Sequence, residues 1–318
     1  MIAVVFPGQG SQKPGMGKEL FEASSAARAV FELVSKATSL DVQKLCFETD
    51  EDTLRQTQNA QMALYTCGVA AWRALEEAHG TPLHAQAMAG HSVGEYAALA
   101  AAGVIGVEDG ARLVQRRGDL MARSGQLRRG GMAAILGLER EVLELVCKQA
   151  CEADSQAVVA NDNCPGQLVI SGDADAVERA GRYATEAGAK RVMPLNVSGA
   201  FHSPLMEEPA KAMGAALNPE LFHNATPRVY SNVTSERVDG ATTWPELLEA
   251  QLRSPVRWTE SVQNMIRDGI TVFIECGAGE VLSGLIRRVS KEVQTTAVYD
   301  VASMEKTIQT LQSLQVNA

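Results

Sequence analysis

Residues 86–103 read QAMAGHSVGEYAALAAAG, and the change of character within this stretch decides the fold. A short apolar run near 86–89 predicts a buried strand, and an Ala-rich run predicts a helix over 94–102, closed by Gly103. Between them, Gly90-His91-Ser92-Val93-Gly94 matches G-x-S-x-G in the strand–turn–helix context that the pattern requires. Glycines permit a tight turn where side chains would clash. Such a turn lifts the Ser92 hydroxyl clear of the backbone and aims the first N–H groups of the helix at negative charge developing there. A Gly-rich turn can also simply start a helix. Ser92 therefore carries two readings at this point, a nucleophile and a structural turn residue.

The same alternation continues outward. Residues 2–6 (IAVVF) predict a first strand, which ends in the loop PGQGSQ. Apolar residues at helical spacing predict helices over 17–36, 52–78 and about 108–123. The second contains Asn59 and Gln61 and ends at His79-Gly80. Val272-Phe273-Ile274-Glu275 predicts a late buried strand, with Gly277-Ala278-Gly279 as its C-terminal loop. This is the pattern of an α/β protein whose large, hydrolase-like domain has a parallel central sheet.

Near residue 125 the pattern changes. Arg128-Arg129-Gly130-Gly131 predicts a hinge. Strand (132–137), helix (139–153), strand (156–161), a Pro165-Gly166 turn, strand (167–172), helix (173–187) and strand (190–196) follow. This βαββαβ order is a ferredoxin-like unit. The expected organisation is a large domain of residues 1–127 and 198–318 with a small subdomain, 128–197, inserted into it. Residues 314–318 are expected to fray.

Composition narrows the function classes. The 318 residues are 46% hydrophobic, enough for a large core, and the net charge is −9 with no extended Lys/Arg cluster, which argues against nucleic-acid binding. No apolar stretch reaches the roughly 18–20 residues needed to cross a bilayer. The N-terminus lacks a basic start and a cleavage site, so it reads as a strand rather than a signal peptide. The six cysteines, Cys46, Cys67, Cys147, Cys151, Cys164 and Cys276, form no CxxC and suit a reduced cytoplasmic protein. No metal-ligand spacing appears, and no bound cofactor is expected.

A serine nucleophile needs a base. Of the five histidines, His79 and His84 flank a Thr-Pro loop, His223 lies in a polar stretch, and His91 adjoins Ser92, so its side chain should diverge. His202, in Ser198-Gly199-Ala200-Phe201-His202-Ser203-Pro204, stands at the junction where the small subdomain ends, and a loop there can overhang a cleft. Elimination favours His202 as the base, against the reading of a polar residue satisfied by its neighbours.

Several separated motifs together resemble the malonyl-CoA:acyl carrier protein transacylases. They are Phe6-Pro7-Gly8-Gln9-Gly10-Ser11-Gln12, Gly90 to Glu95, Arg117-Gly118 with Met121, Asn161 through Gly172 (NDNCPGQLVISG), Gly199-Ala200-Phe201-His202, and Gln251-Leu252 with Ser254-Pro255-Val256-Arg257-Trp258. The resemblance spans nearly the whole chain. It implies a two-step transfer. Ser92 takes malonyl from malonyl-CoA, and the phosphopantetheine thiol of an acyl carrier protein removes it, with His202 as base and acid in turn. It also implies oxyanion donors at the Gln9 and Val93 N–H groups, a malonyl carboxylate held by Arg117, and a Gln251 backbone carbonyl orienting His202. His91 and Asn161 are candidate helpers, and Phe201 matches the form associated with malonyl units. Arg116 reads as a solvated neighbour of Arg117.

An acidic carrier would be repelled by a chain of charge −9, so a local basic patch is expected. Lys190-Arg191, Arg287-Arg288 and Arg128-Arg129 are the candidates, each of which could equally be a solvated face. The expected setting is a cytoplasmic, monomeric enzyme of fatty-acid synthesis. A free-standing polyketide acyltransferase, a serine hydrolase and a non-catalytic synthase subunit are the competing readings. The intact set Ser92, His202 and Arg117 argues against the last, and Arg117 with Phe201-His202 against the hydrolase.

Overall fold

The computed structural model describes residues 1–81, 83–197 and 199–316. Five parallel strands form the first sheet: β1 (Ile2–Phe6), β2 (Ala87–Gly90), β7 (Arg228–Tyr230), β9 (Val272–Cys276) and β10 (Gln294–Val298), in the order β10-β9-β1-β2-β7. Successive residues of β1 pack into different cores: Val4 and Phe6 on one face, Ala3 and Val5 on the other. Both faces are covered by helices, which is why the strand reads as an unbroken apolar run rather than an alternating one. The chain leaves β1 for β2 on one side and returns to β9 on the other. The crevice at the carboxyl ends of such a switch point is the usual ligand position in open α/β sheets.

The second sheet holds β3 (Gly130–Leu136), β4 (Ala157–Cys164), β5 (Gln167–Asp173), β6 (Arg191–Pro194) and β8 (Val256–Arg257), in the order β6-β3-β5-β4-β8. Its first four strands are antiparallel, and helices Arg140–Ala150 and Ala174–Glu186 cover a core of their own around Leu143, Ile135, Ile170 and Ala180. The two-residue Pro165-Gly166 loop joins β4 to β5. The sequence did not reveal β8, two residues from the C-terminal half that pair with β4 in parallel, Asn161 opposite Val256. So short a strand carries no periodicity of its own. Ser198, at the predicted boundary, lies outside the described residues, as do residues 317 and 318; the last helix, Val301–Val316, runs further than the fraying expected from 314.

Two predicted helices are each broken. The 17–36 helix is Lys18–Ala23 and Ser25–Thr38, because Ser24 is extended and its hydroxyl accepts from the Ala27 N–H at 3.0 Å, capping the second piece. The 52–78 helix is Glu51–Arg55 and Thr57–His79, divided at extended Gln56.

The turn at Ser92 is forced by close packing of backbone. A Cβ on Gly90 would lie 1.9 Å from the Gly94 carbonyl, and one on Gly94 would lie 2.1 Å from the Phe6 carbonyl oxygen. Only glycine lets strand β2, helix Gly94–Ala102 and the end of β1 meet this closely. Gly94→Ala should therefore destabilise the protein by about 3 kcal/mol or more in urea denaturation. A loss under about 0.5 kcal/mol would mean that the helix shifts freely.

Candidate active site

The site is built where the carboxyl ends of β1 and β2 face the second sheet. The His91 N–H donates to the Phe6 carbonyl at 2.9 Å, joining the two loops. Ser92 is held at φ 53°, in the left-handed region that non-glycine residues rarely adopt. Such strain persists only where neighbours over-determine it. Here the Ser92 N–H donates to Asn232 Oδ1 at 2.7 Å, and Asn232 Nδ2 donates to the Gly90 carbonyl at 2.6 Å.

His202, also at positive φ (56°), is 3% exposed. Its Nε2 lies 2.8 Å from Ser92 Oγ, and its Nδ1 lies 2.8 Å from the Gln251 backbone carbonyl. A carbonyl only accepts, so Nδ1 carries the proton and Nε2 presents a lone pair to the serine hydroxyl. Burial, helped by the positive Arg117, pushes His202 down to about 3. The ring is therefore neutral at ordinary pH and able to take a proton from Ser92. No carboxylate is needed to set its tautomer.

Arg117 is fully buried, whereas Arg116 beside it is exposed. Its Nη1 donates to Gln61 Oε1 at 2.6 Å, and its Nη2 donates to Gln251 Oε1 at 2.9 Å and to Ser92 Oγ at 3.0 Å. Its guanidinium lies over the Tyr96 ring at 5.7 Å. Among the described residues Arg117 Nε has no hydrogen-bond partner. Glu95, also fully buried, accepts from the Asn232 N–H at 2.7 Å and from Gln251 Nε2. Burial pushes its carboxyl up to about 7.

Gln9, His91, Ser92, Asn161, Asn163, Phe201 and His202 line one cleft with Met132, Ala134 and Val169 of the second sheet. Among the described residues neither the Gln9 nor the Val93 backbone N–H has a hydrogen-bond partner. The His91 side chain is held away from Ser92 Oγ: its Nε2 meets Asn163 Oδ1 at 2.8 Å, and its ring stands edge-on to Trp258 at 5.8 Å. Asn161, its expected companion, lines the same cleft from β4, which is bulged at Asn163.

Sequence reasoning missed Gln61, Glu95, Asn163 and Asn232. Gln61 had a usable signal, as a polar residue in the middle of an apolar helix. The basic candidates differ from one another. Lys190 and Arg191 are exposed on the second sheet's edge. Arg287 donates to Thr295 Oγ1 at 2.7 Å. Arg288 donates to Gln167 Oε1 and the Pro165 carbonyl, tying its helix to the β4–β5 turn. Arg128 forks onto Asp173 at 2.6 and 2.9 Å, and Arg129 is exposed. No group of three or more His, Cys, Asp or Glu among the described residues could hold a metal ion, and no described helix is long and apolar enough to cross a membrane.

The acyl transferase domain model matches residues 3–317. The chain is 43% identical over 317 residues to the malonyl CoA-acyl carrier protein transacylase of Bacillus subtilis, covering 100% of this chain and 99% of that protein. It is 40% identical to the Haemophilus influenzae protein of the same name, over 95% and 96% of the two chains. An acyl carrier protein S-malonyltransferase structure from Vibrio cholerae superposes with a TM-score of 0.91 at 40% identity, over 96% and 99%. A malonyl-transacylase solved in complex with a type II polyketide synthase acyl carrier protein gives 0.92 at 37%, over 97% and 99%.

The buried histidine has a consequence for stability. Between pH 6.5, its ordinary value, and about 3, the unfolded chain binds a proton that folded His202 does not. The His202 contribution is therefore complete above pH 6.5 and is lost as pH falls. Raised Glu95 acts in the opposite sense between 4.5 and about 7. His202→Gln should remove the first effect alone. On going from pH 7 to 4.5, the wild type should lose roughly 2–3 kcal/mol more than the variant in urea denaturation; equal losses would mean that His202 titrates normally.

Proposed function

The chain belongs to the malonyl-CoA:acyl carrier protein transacylase family, and from that premise we propose that it moves malonyl from malonyl-CoA to the phosphopantetheine thiol of an acyl carrier protein through a malonyl ester on Ser92, in support of fatty-acid synthesis. The observation that carries this reading is the pairing of Ser92 Oγ with His202 Nε2 at 2.8 Å beside a fully buried guanidinium.

In the first step His202 Nε2 takes the hydroxyl proton as Ser92 Oγ attacks the thioester carbonyl. The tetrahedral oxyanion falls to the Gln9 and Val93 N–H groups, which suit it because neither has a hydrogen-bond partner among the described residues. Collapse expels CoA thiolate, which takes the proton back from His202. In the second step His202 deprotonates the carrier thiol, and the ester is resolved by the same path. The Gln251 carbonyl keeps Nδ1 protonated throughout.

Arg117 selects the acyl group. A carboxylate can take the guanidinium's donors, whereas acetyl would leave a buried cation facing a methyl group. The cleft of about 230 Å³ is smaller than the ~300–1,000 Å³ of pockets that enclose drug-sized ligands, which suits a short acyl group and the end of its thioester arm. His91 and Asn161 shape the wall opposite the serine. The division into residues 1–127 with 198–318 and an inserted 128–197 unit places this cleft between two bodies. The carrier docks on basic side chains, with Lys190, Arg191, Arg287 and Arg288 as the candidates; Arg288 donates to Gln167, a residue of the cleft wall. The enzyme works as a cytoplasmic monomer with no resident cofactor.

Intact-protein mass spectrometry tests the scheme. Malonyl-CoA should add one malonyl group, holo carrier protein should clear it, and Ser92→Ala should show no adduct. An adduct persisting on Ser92→Ala would overturn the assignment. Arg117→Ala should lose malonyl loading roughly 100-fold while acetyl loading falls far less, as expected for a lost charged partner; parallel losses would make Arg117 structural.

A further inference from the structure

The roles above use every polar residue that touches the reacting groups, and none uses the carboxylate beneath them. Glu95 lies in the first turn of helix Gly94–Ala102 and has no exposed surface. Its Oε1 accepts from the Asn232 backbone N–H, and its Oε2 accepts from Gln251 Nε2. These two partners hold opposite halves of the site. Asn232 bridges the Ser92 N–H and the Gly90 carbonyl across the strained turn. Gln251 gives its backbone carbonyl to His202 Nδ1 and its Oε1 to Arg117, and its Nε2 also reaches the Ser92 carbonyl.

We propose that Glu95 is the positioning residue of this site, and that as a carboxylate it holds the turn of Ser92 and the ring of His202 in register through Asn232 and Gln251. The proposal rests on the reading of Ser92 as nucleophile and His202 as base. Both Glu95 contacts need an acceptor on the carboxyl. A proton on Oε2 would remove the acceptor for the Gln251 amide and loosen the segment whose carbonyl orients His202. The same charge balances Arg117, which would otherwise be a buried cation without an ionic partner.

The groups facing Glu95 are few. Helix Val107–Leu127 contributes Arg117, and its own helix contributes Tyr96. Gln251 comes from helix Trp244–Gln251, while Ser231 and Asn232 follow β7 and are neutral. Helix Thr57–His79 contributes Gln61, which is spent on Arg117. Desolvation raises the Glu95 carboxyl to about 7 against these attractions. The brace is therefore intact above neutrality and is lost as pH falls through it. His202 stays neutral over that range and gives no limb of its own.

Ser92 acylation, followed by rapid quench and intact mass between pH 5.5 and 8.5, tests this in the wild type and in Glu95→Gln, with malonyl-CoA and with acetyl-CoA. The wild type should show a one-proton loss of rate below about pH 7 with both donors. Glu95→Gln should lack that limb and be slower roughly 10- to 100-fold at pH 8, the scale of a misplaced general base, with KM for malonyl-CoA within about threefold of the wild type. If Glu95→Gln does not fold, Glu95→Asp should keep the limb while the rate falls, because charge is retained and reach is lost. A wild-type profile flat to pH 5.5, a limb that survives in Glu95→Gln, a rate within about twofold of wild type, or a loss confined to malonyl-CoA would each overturn the proposal while leaving Ser92 as the nucleophile. No adduct on wild-type Ser92 at any pH would overturn both.

Discussion

Arg117 has no exposed surface, and a guanidinium taken out of water is held only where its donors and its charge are answered. That requirement organises the residues around it. Gln61 answers one nitrogen from helix Thr57–His79, Gln251 and Ser92 answer another, and Glu95 supplies the opposite charge one residue removed. Three separate parts of the chain are thereby fixed relative to a single planar cation. Those same parts carry Ser92 and, through the Gln251 backbone, the orientation of the His202 ring.

The chemistry follows from how little of this network faces the cleft. Ser92 Oγ and His202 Nε2 do, Arg117 meets Ser92 Oγ from behind, and Gln61, Glu95 and Gln251 set the geometry of all three from the interior. A backbone carbonyl in place of a triad carboxylate puts no charge on His202 Nδ1, and burial, with the positive Arg117, then keeps the ring neutral. The Gln9 and Val93 N–H groups, the donors proposed for the oxyanion, stand on two loops whose close approach depends on the absence of side chains at Gly8, Gly90 and Gly94.

The second sheet completes the cleft rather than standing apart from it. Asn163 reaches back to His91, Arg288 reaches forward to the β4–β5 turn, and β8 adds a strand from the C-terminal half to β4. These contacts close one wall of the cleft, while the loop carrying His202 is held by its own N–H on the Leu252 carbonyl at 3.0 Å.

Much of this was legible in the sequence because it is local. The strand–turn–helix at Ser92, the apolar run of β1 and the βαββαβ order are each written in adjacent residues, and their glycines mark where backbone must approach backbone. Ser92, His202, Arg117 and Gln251 could be named because they lie within motifs. Glu95, Gln61, Asn163 and Asn232 could not be given partners, since a buried polar residue looks the same in sequence whether it meets a carbonyl, a cation or water. Asn232 lies 140 positions from the Ser92 N–H it accepts from, and Gln251 lies 156 from Glu95. The sequence by itself determined which residues are chemically able to act and the elements that carry them. Only the tertiary structure decided which of them share a charge and a hydrogen bond, because those pairings are set by the packing of two sheets and not by any neighbour along the chain.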